Sequence, residues 1–409
     1  MLEKGFTTTV VHSDRLLDLE HGAIHAPIHN SVPYGFEDVQ GLIDVFQGTK
    51  AGHAYARSST PTIDALQHKI KQMDKGIATL VFSCGMSAIV TTFLTLLKSG
   101  DHLICSRYLF GNTNSMIGTL EGYGIEVSYV DATDINEIKA AQQKNTRMVF
   151  VETIANPATQ ISALDEIGDF CEAEKLVYVV DNTLTSSYLF DAKAAKASLI
   201  VTSLSKYVAG HGNALGGSVT DTGLYNWETY PNIFDAYRTG DSRMWGMSQI
   251  KKKGLRDMGA CISSQTAHLI SVGSETIELR MQRQCDNALA LAEYLEQHPK
   301  VAKVYYPGLQ NHPQHETAKR LFKKFGAMLS FDLIETEDCC ELLNKLQVVI
   351  SATHLGDNRT LALPVAPTIY HEMGLQTRQA MGISETMIRC SIGIENTDDL
   401  LADFEQALA

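Results

Sequence analysis

The chain has 409 residues, 44% of them hydrophobic and 20% charged, the composition of a globular protein long enough for two or three domains. A formal charge of −13 argues against nucleic acid or an anionic membrane as main partner, and any anionic ligand must be held by local donors against the overall field. The eight cysteines form no CxxC pair and no cluster with zinc spacing, so no metal centre is expected. The start, MLEKGFTTTVVHSDR, lacks the plan of a signal peptide, and reduced thiols in a cytoplasmic protein are the expectation.

The first 55 or so residues show no clean period. They carry His12, His21, His25 and His29, whose spacing fits no common metal site, and read as an arm that packs on something else, such as a second subunit. A helix is predicted from Pro61, with Thr60 as N-cap and Ile63, Leu66, Ile70 and Met73 at helical spacing. Residues 77–97 hold no charge over 21 positions, enough to cross a bilayer. Ser83-Cys84-Gly85 inside that run, and the threonines after it, fit a buried strand, a glycine turn and a buried helix better. From there strands are predicted near 77–82, 102–105, 125–130, 147–152, 176–181 and 199–202, and helices near 86–97, 113–122, 134–143 and 164–174. The alternation predicts an α/β domain with a mostly parallel sheet. After about residue 260 a long helical stretch near 275–297 leads into alternating segments such as AMLSFDL and MIRCSIGI, the pattern of a separate α+β domain. The expected division is an arm over 1–60, the α/β domain over 61–258 and the α+β domain over 259–409.

In a parallel sheet ligands sit beyond the carboxyl ends of the strands, so the residues just after each strand are the ones to read for chemistry. After IATLVF comes SCGMSA, a glycine turn opening into a helix whose first amides could cradle a phosphate. After RMVFVE comes TIANP, with Glu152 and Asn156 at the same rim, and after LVYVV comes Asp181. After SLIVT comes SLSK, with Lys206 behind Ser203 and Ser205 and before the turn GHGNALGG. Each has an ordinary explanation alone: tight packing at a glycine, a helix cap, a solvated surface lysine. One chemistry uses them all, that of pyridoxal phosphate. Its phosphate needs amides and hydroxyls, which Gly85, Met86, Ser203 and Ser205 could supply. Its ring nitrogen needs an anion, Asp181, and its aldehyde needs a lysine able to lose a proton, Lys206. The rival motifs fail: no GxGxxG opens a βαβ unit, no GxxxxGK[ST] occurs, and HEMGL at 371–375 lacks the second histidine of a zinc-protease helix.

The motifs YARSSTPTIDALQ, FSCGMSAI, LFGNTN, VETIANP, VVDNT, SLSKYVAGHG, LGDNRTLALPVAPT and IRCSIGIE occur in that order. Together they make the chain resemble the trans-sulfuration enzymes of Cys/Met metabolism, the cystathionine-synthase/methionine-lyase group, from about residue 20 to the C-terminus. The resemblance implies an α/β chain of fold type I, the PLP-dependent transferase fold: a large, mostly parallel-sheet cofactor domain plus a smaller α+β C-terminal domain. It implies that Lys206 holds the cofactor covalently and shuttles protons, that Asp181 pairs with the pyridinium, and that Gly85, Met86, Ser203 and Ser205 bind the phosphate. Tyr55, which also has a catalytic part, and Arg57 match donors that reach the phosphate from the neighbouring subunit. The arm would then complete the partner's site in a homodimer, with dimers pairing into a tetramer. Arg389 matches the arginine that grips the carboxylate of a small amino-acid substrate, and Asn156 an asparagine near that carboxylate and the cofactor's phenolic oxygen.

The departures bear on the reaction. Phe110 stands where the family usually has a tyrosine that stacks on the cofactor and acts as acid toward the leaving group; phenylalanine keeps the stacking and loses the acid. Cys84 replaces the usual serine, and Thr60-Pro61-Thr62 the usual Asn-Pro-Thr. Thr353-His354-Leu355-Gly356-Asp357 lacks the glutamate of members that hold cystathionine or cysteine. The Gly-Asp pair, LEQHPKV with YPGL, and an insertion after residue 221 are similar to O-acylhomoserine sulfhydrylases, though methionine γ-lyases share the Gly-Asp pair. The expected reaction is γ-replacement on an O-acylhomoserine to give homocysteine. The alternatives are γ-elimination as in methionine γ-lyase, and cystathionine γ-synthesis.

Overall fold

The computed structural model describes residues 4–17 and 19–409. Seven strands form the larger sheet: β1 Ala78–Phe82, β2 His102–Ser106, β3 Glu126–Val130, β4 Thr146–Glu152, β5 Val177–Asp181, β6 Leu199–Thr202 and β7 Gly217–Asp221. Their order is β1-β7-β6-β5-β4-β2-β3. Neighbours from β3 to β6 pair in parallel, and β7 runs antiparallel to both β1 and β6. Central strands of such a sheet are covered on both faces, which is why RMVFVE, LVYVV and SLIVT read as nearly continuous apolar runs. Alternate residues enter different layers. Val149, Val151, Tyr178, Val180 and Ile200 pack with Leu164 and Ile167 on one side. Met148, Phe150, Val177, Val179, Leu199 and Val201 pack with Ile89, Phe93 and Ile250 on the other.

The sequence expectations meet this architecture closely. The Pro61–Met73 helix is capped as expected, with the Thr60 hydroxyl accepting from the Ile63 N–H at 3.1 Å. The uncharged run splits into β1 and the Gly85–Leu96 helix; among the described residues no helix is long and apolar enough to cross a membrane. The strand β7 was not expected. Its sequence, GSVTD, has little strand character of its own and is extended because it is inserted between β1 and β6, which satisfy its backbone on both sides.

The smaller sheet holds β8 Val301–Tyr305, β9 Met328–Leu333, β10 Ile350–Ser351, β11 Leu361–Pro364 and β12 Met387–Ser391, in the order β10-β11-β12-β9-β8. All pairs but β10–β11 are antiparallel. The Thr397–Leu408 helix packs on it through Leu400, Phe404 and Ala407. The long Ile277–Glu296 helix joins both cores. Ile277, Met281 and Cys285 belong with the larger sheet, whereas Ala288, Leu291, Ala292 and Leu295 belong with the smaller one. The Ser264–Ser274 helix also packs with the larger sheet, through Ala267 and Ile270.

One buried cation fixes the segment that follows Lys206. Arg280 is 5% exposed, and its guanidinium donates to the carbonyls of Tyr207 at 2.7 Å, Val208 at 3.1 Å and Gly273 at 2.8 Å. Gly210 lies against that guanidinium at φ +72, and a Cβ there would come within 2.1 Å of Arg280 Nη1, so position 210 requires glycine for both reasons. Replacing Arg280 by methionine strands the buried Tyr207 and Val208 carbonyls and leaves that of Gly273 with the Thr276 hydroxyl at 3.3 Å. Arg280→Met is therefore expected to lower the free energy of unfolding by about 3 kcal/mol. Urea unfolding followed by circular dichroism reads the loss, and an unchanged midpoint would mean that other contacts hold the segment.

Candidate active site

A cavity of about 480 Å³ opens where the carboxyl ends of β4, β5 and β6 meet the start of the Gly85–Leu96 helix and the inner edge of the smaller sheet. Gly85, Met86, Phe110, Asn156, Asp181, Ser203, Ser205, Lys206 and Arg389 all line it. Tyr55 and Arg57 do not. The Arg57 guanidinium lies 5.5 Å from the centre of the Tyr55 ring and donates to the Arg256 carbonyl at 2.8 Å, and Tyr55 is 47% exposed.

The floor holds two carboxyls side by side. Asp181 ends β5 and is paired in register with Glu152, which ends β4. Asp181 accepts from the Thr183 N–H at 2.9 Å, and burial raises its pKa. Burial, then the charge of Asp181, raises Glu152 well above the ordinary carboxylate range, while its Oε1 accepts from the Phe110 N–H at 2.7 Å. Two carboxyls in one apolar recess resist carrying two charges, and a cation placed against Asp181 relieves both.

Above them lie two cations. Lys206 follows β6, and burial, then the Arg389 charge, lowers its pKa to about 8. Its Nζ lies 3.2 Å from His354 Nδ1. Arg389 on β12 is 2% exposed; its Nη2 donates to the Thr353 carbonyl at 2.9 Å and the His354 carbonyl at 3.1 Å. Asn156 Oδ1 lies 3.5 Å from Nη1, and the buried Nε has no partner. A buried guanidinium with an unfilled donor suits a carboxylate ligand.

At the third side, the Gly85–Leu96 helix begins against the loop that follows β6. A Cβ on Gly85 would lie 2.7 Å from the Ser203 Cβ, so only glycine allows this approach. Cys84 caps the helix, its sulfur accepting from the Ser87 N–H at 3.4 Å. Among the described residues, the Gly85 and Met86 amides and the Ser203 hydroxyl make no hydrogen bond, which leaves an open set of donors at a helix N-terminus. Ser205 differs, since its hydroxyl donates to the Gly216 carbonyl at 3.1 Å and accepts from the Gly216 N–H at 2.8 Å.

Sequence reasoning passed over Thr183, whose N–H orients Asp181 and whose hydroxyl accepts from the Ser203 N–H at 2.8 Å, linking two strand ends. Its signal was in plain sight as the third residue of DNT. Tyr370, which donates to the Asn156 carbonyl from a distant loop, had no such signal. Of the arm's histidines, His25 lies 3.4 Å from Asp14 and 3.5 Å from Glu275. The buried Lys69 ammonium sits 3.7 and 3.1 Å from the same two carboxylates and already supplies the positive charge there.

Residues 7–409 match the family described as Cys/Met metabolism PLP-dependent enzyme. The chain belongs to that family. It is 36% identical over 408 residues to an L-methionine gamma-lyase of Fusobacterium nucleatum subsp. polymorphum, covering 99% of this chain and 98% of the relative. It is 32% identical over 419 residues to a homocysteine synthase of Schizosaccharomyces pombe, covering 98% of each. A solved structure of a putative O-acetylhomoserine (thiol)-lyase from Campylobacter jejuni superposes with a TM-score of 0.93 at 29% identity, over 99% of this chain and 100% of the other. That structure carries a pyridoxyl-lysine phosphate.

The cofactor of this Cys/Met-metabolism enzyme is thus pyridoxal phosphate, and the cavity fits it. Unfilled amide and hydroxyl donors suit a phosphate, a buried carboxylate suits a pyridinium, and an amine with a lowered pKa suits an aldehyde. Because an amine attacks only when unprotonated, cofactor uptake by the apoprotein should speed up as pH rises toward about 8 and level off above it. A lysine at the ordinary value of 10.5 would keep gaining well beyond that. Absorbance of the bound cofactor follows the uptake; Lys206→Ala should show none, and wild-type uptake in that variant would remove Lys206 from the site.

Proposed function

We propose that this enzyme performs γ-replacement on an O-acylhomoserine, with sulfide displacing the acyl group to give homocysteine. The observation that carries the reading is Phe110, whose side chain lines the cavity without a hydroxyl. A thiolate leaving from Cγ needs a proton, whereas an acyl group leaves as a weakly basic carboxylate and needs none.

The geometry supports the following roles. Asp181 holds its charge for the ring nitrogen, the Gly85 and Met86 amides with Ser203 hold the phosphate, and Phe110 offers an aromatic face. Ser205 can join them by turning its hydroxyl from Gly216. Arg389 and Asn156 hold the substrate carboxylate. When bound, pyridoxal phosphate supplies an electron sink for the pair left at Cα. Lys206 takes the Cα proton, a second proton leaves Cβ, the carboxylate departs from Cγ and the incoming sulfur bonds there, after which the protons return.

Methionine γ-elimination is the second reading, favoured by the 36% identity to a methionine γ-lyase. A side-by-side assay of O-acetylhomoserine, O-succinylhomoserine, cystathionine and methionine, with and without sulfide and scored by mass, separates them. Homocysteine formation from an O-acylhomoserine is expected to exceed methionine breakdown by on the order of 10-fold. Faster release of methanethiol from methionine would replace the first reading by the second.

The same proposal includes a homo-oligomer, a dimer with shared sites that pairs into a tetramer, in a cytoplasmic setting that suits eight unpaired cysteines. Two features support it. Tyr55 and Arg57 lie outside the cavity of their own chain, and the Val39–Gln47 helix of the arm buries no residue, leaving Val39, Leu42, Ile43 and Phe46 exposed along one face. Residues 1–60 are then the arm, whose Asp14 and His25 pack against Lys69 and Glu275 of their own chain while the stretch from Val39 to Arg57 reaches the neighbour, with cofactor and C-terminal domains near 61–258 and 259–409. Arg57→Ala is expected to weaken cofactor retention about 10-fold, through loss of a charged phosphate donor. Equilibrium dialysis reads the loss, and unchanged retention would detach the arm from the site.

A further inference from the structure

His354 stands on the loop between β10 and β11, between Thr353 and Leu355, which both line the cavity. It touches both cations. Its carbonyl accepts from Arg389 Nη2 at 3.1 Å, and its ring Nδ1 lies 3.2 Å from Lys206 Nζ. Among the described residues, that ring nitrogen is the one hydrogen-bonding partner of the lysine amine. The other ring nitrogen, Nε2, is buried and makes no hydrogen bond within 3.5 Å, although the Ser205 backbone lies beside the ring. A buried polar atom left unsatisfied costs about 1–3 kcal/mol, so a histidine kept here for packing alone could give way to leucine without loss of stability.

We propose that His354 is the positioning residue for Lys206: its Nδ1 lone pair accepts a hydrogen bond from the lysine ammonium and holds the amine in place each time it carries a proton. The inference rests on Lys206 being the amine that meets the cofactor and takes the Cα proton. The proton moves from Cα to the Lys206 nitrogen and later returns; the imidazole orients the ammonium without taking the proton from it. Burial, then Lys206 and, less strongly, Arg389, lower the His354 pKa to about 4 against the opposing pull of Asp357 and the Ser205 backbone, so the ring is neutral and its lone pair is available. The other charged groups around the amine are Arg389 from β12 and, across the cavity, Asp181 and Glu152 from β5 and β4. None of these is altered by a substitution at 354. The same backbone carbonyl that anchors Arg389 thus fixes the ring that anchors Lys206, and couples the substrate's carboxylate grip to the placement of the base.

Two variants test this. His354→Leu keeps the volume and removes the acceptor, whereas His354→Asn places an amide oxygen where Nδ1 stood. In the apoprotein, acetylation of Lys206 across a pH series, read by peptide mass spectrometry, gives the midpoint of its titration. Loss of a hydrogen bond to a charged group should lower that midpoint by about one unit in His354→Leu, with His354→Asn remaining near wild type. With cofactor restored, Cα deuterium exchange on L-norleucine should slow about 10- to 100-fold in the leucine variant and recover in the asparagine variant. Norleucine has no leaving group, so this reading is independent of whether an acyl group or a thiolate departs from Cγ. An unshifted midpoint with wild-type exchange in His354→Leu would overturn the proposal, as would an asparagine variant as impaired as the leucine one. Should the leucine variant fail to fold, alanine takes its place with the same two readings.

Discussion

The structure depends on holding two cations and two carboxyls in one recess too dry to screen them. Lys206, Asp181 and Glu152 stand at strand ends of the larger sheet and Arg389 faces them from the smaller one, each shifted by burial from its ordinary state. In water these charges would be indifferent to one another; here the Arg389 charge helps to lower the Lys206 pKa and the Asp181 charge helps to raise that of Glu152. An amine that titrates at about 8, well below the ordinary 10.5, is the outcome that matters, because only a free amine can attack an aldehyde or take a proton from carbon.

The recess exists because two separate sheets converge on it. The larger sheet presents Asp181, Lys206 and the helix beginning at Gly85 at its strand ends, while β12 of the smaller sheet carries Arg389 across the gap. The Ile277–Glu296 helix enforces the convergence by burying its first half in one core and its second half in the other. A single substitution at that joint therefore reaches the chemistry without touching a ligand. Arg280, on the same helix, binds three carbonyls around the segment behind the lysine.

The proposed reaction places its selectivity at the rim. Phe110 lines the cavity without a hydroxyl, and His354 places an imidazole nitrogen 3.2 Å from the lysine amine. Both side chains sit on loops, where residues can change without disturbing the sheets that position them. On that proposal, the family's common chemistry and this chain's own selectivity draw on different parts of the molecule: buried strand ends for the first, loop side chains for the second.

The sequence alone determined the larger sheet's parallel part, since apolar runs at strand length can be buried on both faces only between helices. It also determined the strand-end residues, because Asp181 and Lys206 each follow such a run directly. Tertiary structure decided the rest. The strand β7 carries no strand pattern and is extended only because β1 and β6 lie on either side of it. The pairing of Lys206 with His354 joins positions 148 residues apart, and that of Asn156 with Arg389 joins positions 233 apart, so no local period could announce either. Periodicity reports which face of an element is buried, whereas a site made across two sheets depends on how those faces are brought together.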